Sequence, residues 1–398
     1  MDRIKKLLHR NIKLIIALLI FVSIGAGVTY SATTYLYDSN VIGYDNSNSG
    51  LTATDVQGAL DELYLKINGT NGNCPSGYLK TQIDEYRFNC AKPVDLSFFA
   101  ATAVRDDTSS TYVTSSTGID FGVISSSTNG QGLYLLSSTV SDMNPIYYYR
   151  GAVENNNVLF ANFCWKIVRT TETGGIKLIY NGSPTAQGSC SNTTGTSTQI
   201  STTAFNSTHT IQKYVGYTYD TNTNSTIKGV LDAWYKTNIY DAGFDDYIED
   251  TIWCNDRSNK VNGTYSYYGA YTRLNTNKTP SLTCINEADR YTVNGNNGNG
   301  LLTYKVGLLT ADELAYAGAV YGASNTTFYL YTNQWWWLMS PYSFDNNGAC
   351  EFWYKATYFH NNSVNSTSAG ARPALSLKSG VILNGSGTIG NPYTVSFN

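Results

Sequence analysis

The residues best equipped for chemistry in this 398-residue chain lie in one tract, 342–368, which reads YSFDNNGACEFWYKATYFHNNSVNSTS. Tyr, Phe, Trp and Asn with few charges is the composition of recognition surfaces. Stiff aromatic rings give contact area at small entropy cost, and short amides adapt their hydrogen bonds. Tyr342, Phe344, Trp353, Tyr354, Tyr358 and Phe359 are the expected anchors, with Asn346, Asn347, Glu351, Lys355, His360, Asn361 and Asn362 as polar contacts. Strand parity turns half of 351–356 inward, and parity alone does not say which half. Phe352 and the run Trp335, Trp336, Trp337 read as core, while Pro341, Arg372 and Pro373 read as structural: a guanidinium ties several carbonyls, and proline fixes backbone entry.

Catalytic patterns are weaker. His209 and His360 lack a nucleophile motif such as GxSxG. Paired carboxylates are available among Asp245, Asp246, Glu249, Asp250, Asp312 and Glu313. The helix dipole accounts for Asp312 and Glu313, and 245–250 reads as a solvated turn. The expectation is therefore no enzyme and no cofactor. Calcium-dependent sugar binding would want a Glu-Pro-Asn type tripeptide, which is missing. Trp253-Cys254-Asn255-Asp256 is a weak substitute, and structural calcium held by loop Asn and Asp oxygens stays open.

The elements that position these residues begin with an export signal. Arg3, Lys5, Lys6, Arg10 and Lys13 precede an uncharged apolar run over 14–28, so basic residues stay inside and the rest crosses the membrane. Residues 1–32 are either a signal anchor or a cleaved signal peptide. Tyr30 ahead of a cut after Ala32 favours the anchor, and with it a cell-surface location; cleavage would give a secreted protein. Removing the leader's five basic and one acidic residues from totals of 26 and 29 leaves 21 against 28. An acidic body without a basic stripe excludes nucleic acid.

Residues 33–73 form a polar linker and a short stalk helix. Thr54 with Gln57 makes a capping box, and Val56, Ala59, Leu60, Leu63 and Ile67 share one stripe. So short a helix must pack on the body or on copies of itself. The stretch SGLTATDVQGALDELY resembles stalk segments of phage tail fibres and Gram-positive adhesins, which implies a homotrimer. Six cysteines most simply pair as Cys74–Cys90, Cys164–Cys190 and Cys254–Cys284, although other connectivities exist, and Cys350 is left over.

Short apolar patches at 119–124 and 133–136 read as strands within a β-rich segment, 74–146. Further strands are expected at 158–160, 163–168, 176–180, 328–331, 335–339, 373–377, 381–383 and 393–397, with a hairpin turn at 171–175. Ile227, Val230, Leu231 and Trp234 mark one helix. Thr310 with Glu313 caps another that Gly318 stops. Many strands and two or more short helices make an α+β domain over 147–398.

The succession FCWKIVRTTETGGIKLIYNG, WCNDRS, VGLLTADELAYAG, WWWLMSP, ARPALSLKSGV and GTIGNPYTV resembles a family of exported surface proteins of Gram-positive gut bacteria. Its C-terminal domain is similar to the C-type lectin-like fold in the formylglycine-generating-enzyme version. That enzyme's C-terminal cysteine pair is reduced here to Cys350, which speaks against oxidase activity. The resemblance extends to the variable proteins of diversity-generating retroelements and implies a display site over 340–371. The expectation is an adhesin binding a protein or glycan on another cell, a phage or the host. A structural subunit of a phage-like fibre or pilus-like assembly is the alternative, and an exported hydrolase comes third.

Overall fold

The computed structural model describes residues 119–126, 129–136, 146–190, 195–220, 222–262, 265–346, 348–355 and 358–396. It also describes Leu79–Gln82, Phe88–Ala91 and the positions Val56 and Ala59. The chain divides into units 1–91 and 92–398. In the first, Leu79–Gln82 pairs antiparallel with Phe88–Ala91, and Val56 and Ala59 are helical and buried, as the stripe requires. The apolar run 14–28, Cys74, the linker and the rest of the stalk helix lie outside the described residues. Among the described residues no helix is long and apolar enough to cross a membrane.

The second unit is α+β, mostly strand with few short helices. One sheet runs in the order Ala374–Leu377, Ile176–Tyr180, Phe163–Thr170, Asn157–Phe160, Tyr393–Ser396, Ile382–Asn384, and the pair Gly132–Leu136 and Ile146–Arg150 joins it at Phe163–Thr170. Its central hairpin follows the pattern read at 163–180. Apolar and β-branched runs flank a tight turn, and Thr171 and Gly175 close it with a 2.9 Å backbone bond. The second sheet runs Asn259–Asn262, Tyr265–Tyr268, Trp335–Asp345, Gly348–Lys355, Tyr358–Ser363, with Gly370–Ala371 and Ser201–Thr202 attached beside it. One continuous core joins the two sheets, with Trp165, Trp253, Trp336 and Trp337 fully buried.

Thr226–Tyr235 is an α-helix of ten residues. Ser225 caps it, and Ile227, Leu231 and Tyr235 are buried, whereas Val230 and Trp234 are only partly so. Ala311–Tyr316 is capped by Thr310 and Glu313, each side chain bonding the other's backbone. Gly318 ends it at φ 119°, where a side chain would collide with Ser125.

Two expected strands are loops. Over 119–124 the backbone carbonyls are taken by a side chain: Asn129 Nδ2 donates to Asp120, Val123 and Ile124. Asp120 also turns back on the Gly122 amide at 2.7 Å, so local Asx bonding displaces a ladder. Residues 328–331 form a turn closed by the Tyr331 amide on the Phe328 carbonyl. Their apolar side chains serve the core without a strand.

Disulfides join Cys164 to Cys190 and Cys254 to Cys284, with Cα separations of 5.6 and 5.7 Å. In the chain-entropy account each such loop contributes about 3 kcal/mol. Such bonds form in oxidising compartments.

Candidate functional site: a half-exposed aromatic band

Gly348–Lys355 is an inner strand of its sheet, between Trp335–Asp345 and Tyr358–Ser363. Layers cover both of its faces, and this decides the fate of the expected anchors. Trp353 packs on Trp335 and Trp337 at 5.0 and 5.8 Å, and Tyr354 packs on Trp336 and Phe328 at 5.6 and 5.7 Å. The Tyr354 hydroxyl is spent on the Asn325 carbonyl at 3.2 Å. Glu351, Tyr354 and Phe359 are fully buried, Trp353 is 5 % exposed and Tyr342 9 %. These five residues are therefore interior, a correction to their expected role as surface contacts. Parity alternates side chains but does not say whether the second face meets water. Of the rest, Asn346 is exposed, and Phe344, Tyr358, His360, Asn361 and Asn362 are half-buried. Asn347 and the Lys355 side chain lie outside what is described.

Of the tryptophan run read as core, Trp335 is exposed. Trp336, Trp337, Pro341, Arg372 and Pro373 are buried. Arg372 donates to the carbonyls of Tyr180 and Leu330 at 2.8 and 3.3 Å and to Asn181 Oδ1 at 3.1 Å, and its guanidinium lies 5.0 Å from the Trp336 ring centre.

What does reach the surface is a band of rings drawn from four segments. Tyr267, at the end of Tyr265–Tyr268, stacks on Tyr271 at 4.2 Å; Tyr271 meets Tyr342 edge-on at 5.0 Å; Tyr342 stacks on Tyr321 at 5.9 Å. Tyr321 then stacks on His360 at 5.1 Å, and Tyr358 stands edge-on to that imidazole at 6.1 Å. All but Tyr342 are half-buried. Phe352 braces the band from within, 5.1 Å from Tyr342 and 5.9 Å from Tyr321. The Tyr321 and Tyr342 hydroxyls bond at 2.9 Å, and burial pushes both phenols above their usual range. They remain protonated at neutral pH. Sequence reading missed Tyr267, Tyr271 and Tyr321; the density of tyrosines in YSYYGAY was the available signal.

The chain matches no family model, no curated protein and no solved structure.

Except for the exposed Asp246, the carboxylates considered for hydrolysis are committed elsewhere. Asp312 takes two bonds from Arg273, at 2.8 and 2.9 Å, and one from the Ser281 amide. Glu313 Oε1 faces both Arg169 Nε at 2.6 Å and Lys177 Nζ at 2.8 Å. The space beside them, about 20 Å³, holds about one water. Nor is 245–250 a solvated turn. Asp245 is bound by Tyr235 and Lys305, Asp250 accepts from the Val293 and Asn294 amides, and Glu249 is held by Thr171 and Thr173. Asn255 is likewise saturated, accepting from the Tyr217 amide and donating to the Val215 and Met339 carbonyls, and Asp256 pairs with Arg273 at 2.8 Å. Among the described residues no group of three or more His, Cys, Asp or Glu could hold a metal. Cys350 is free but buried, and burial together with Asp345 pushes its thiol up to about 11, away from reactivity.

Glu351 is a different case, since neither of its oxygens has a hydrogen-bond partner among the described residues. Burial lifts its carboxyl well above the ordinary 4.5, and Arg257 offsets only part of this. An acid with a raised pKa stays protonated in the fold while the unfolded chain ionises, so its cost to stability grows as pH rises above 4.5. Glu351→Gln is expected to raise the melting temperature at pH 8 and leave it nearly unchanged at pH 4. Equal effects at both pH values in thermal unfolding would contradict this.

Proposed function

We propose that the chain is an exported cell-surface adhesin whose aromatic band binds a glycan or protein ligand on another cell, a phage or the host. The observation that carries the reading is the band from Tyr267 to Tyr358. Apart from the buried Tyr342, its rings are half-open to water yet fixed by mutual packing and by Phe352. Prefixed aromatic faces stack on sugar rings or apolar side chains at low entropy cost, while Asn346, Asn361 and Asn362 supply hydrogen bonds at the rim. The C-type lectin-like version of the α+β fold belongs to the same proposal, as do the N-terminal membrane tether and a trimeric stalk. Two disulfides support an extracellular setting.

Diversification of 340–371 is a further part of the proposal, restricted by burial to accessible positions such as Asn346, Tyr358, His360, Asn361 and Asn362. A reverse transcriptase gene beside a near-copy of the coding stretch, differing only at adenines, is the observation that tests it.

Substituting both Tyr271 and Tyr321 by alanine should weaken attachment of the full-length protein to a glycan array or to bacterial cells at least tenfold. Trp234→Ala, half-buried on the Thr226–Tyr235 helix, should leave attachment intact. Loss of oligomers together with attachment, read by sedimentation, favours the fibre or pilus subunit instead. Undiminished attachment of the double variant rejects the band as the binding site.

A further inference from the structure

Apart from the band, the second unit contains a cavity of about 220 Å³ lined by Glu154, Lys166, Asn181, Phe328, Tyr329 and Tyr331 among others. A water's share of liquid is about 30 Å³, and an apolar hole of ~150 Å³ admits benzene in another protein, so this space suits a small organic molecule. Lys166 projects from the middle of Phe163–Thr170, opposite Asn157. It is only 4 % exposed, and its ammonium forms no ion pair or hydrogen bond with a described residue. Most buried lysines are paired; the other buried ones among the described residues, Lys177 and Lys228, hold carboxylates at 2.8 and 2.6 Å. Tyr329, in the same wall, has a buried hydroxyl without a partner among the described residues.

We propose that this cavity is a binding site for a small aromatic carboxylate, with Lys166 as its counter-charge and the Tyr329 hydroxyl as a second donor. Two donors match the two oxygens of one carboxylate. Phe328, Tyr329 and Tyr331 provide an apolar wall for the remainder of the ligand. The electrostatics favour an anion: Arg372 is close enough to repel the Lys166 charge, and the exposed Glu154 opposes it only weakly. Burial, with that repulsion, brings the Lys166 ammonium down to about 8. A bound carboxylate would restore the charge and raise this value.

The probe is sodium benzoate, with benzamide as its uncharged counterpart, added to the full-length protein. Acetylation of Lys166 by an N-hydroxysuccinimide ester at pH 8, mapped by peptide mass, should slow at least threefold in benzoate and not in benzamide. Lysines such as Lys213 and Lys236 should be unaffected. Calorimetry should show benzoate binding at least ten times tighter than benzamide, with that preference lost in Lys166→Met. Protection of Lys166 is read on the unaltered protein, so it tests the site even where Lys166→Met does not fold. Equal protection by both compounds, or none by benzoate, overturns the proposal. Neither result bears on the aromatic band, which lies on other residues.

Discussion

Replacing Arg372 with alanine is expected to lower the stability of the second unit by about 3–5 kcal/mol. Three losses combine. The carbonyls of Tyr180 and Leu330 and the amide oxygen of Asn181 lose a charged donor, and buried acceptors left unpaired cost about 1–3 kcal/mol each before relaxation. The Trp336 ring loses its guanidinium partner, and the removed side chain leaves a hole in a close-packed layer. Burial already holds the guanidinium down at about 9, despite the nearby Tyr329 and Tyr354. Arg372→Lys should recover little, because a point ammonium cannot reach three acceptors in the plane of a fork. Guanidinium chloride unfolding followed by tryptophan fluorescence measures both variants. A loss below 1 kcal/mol for the alanine variant would show that water or neighbouring donors replace the guanidinium.

The sequence made Arg372 legible, and the reason is local. An Arg-Pro pair entering an apolar strand presents a long multiple donor where the backbone has just left one sheet. The capping box at Thr310 and Glu313 and the hairpin over 163–180 were readable on the same footing, since each depends on residues within a few positions of one another. Two of the three expected cysteine couples also close locally, and both form.

What could not be read depends on distant segments. The pattern of Gly348–Lys355 says that Trp353 and Tyr354 face opposite ways, yet both are buried because Phe328 packs on Tyr354 on one side and the 196–217 region brings cover on the other. Trp337 bonding the Thr203 carbonyl and packing on Phe205 is part of that cover. The binding band is likewise assembled from 267–271, 321, 342 and 358–360, and no window of sequence contains it. The patches at 119–124 and 328–331 failed for a third reason. Phe121, Phe328 and Leu330 do enter the core while Val123 stays exposed, but Asn129 and the turn at Phe328 take the backbone bonds that a strand would need.

Glu313 carries the other large effect, because one carboxylate serves three partners at once. Its Oε2 accepts the Thr310 amide at 2.9 Å, and its Oε1 faces Arg169 and Lys177. Burial alone would raise its pKa, but Lys177 and Arg169 outweigh that and hold it at about 2. Glu313→Gln keeps the shape and the cap but takes the carboxylate from two buried cations, leaving Arg169 with Glu172 at 3.2 Å and the Thr170 carbonyl at 2.9 Å. The expected cost is about 3–5 kcal/mol. Stability from a carboxyl with a depressed pKa is fully present above the unfolded value of 4.5 and fades as pH falls towards 2. Wild-type protein should therefore lose stability steeply across that window, and Glu313→Gln should start lower and lose less. Denaturant unfolding at steps between pH 6 and pH 2.5 reads both curves. Parallel curves would mean that Glu313 is not the group whose protonation loosens the domain, and that the buried cations are balanced by other acids.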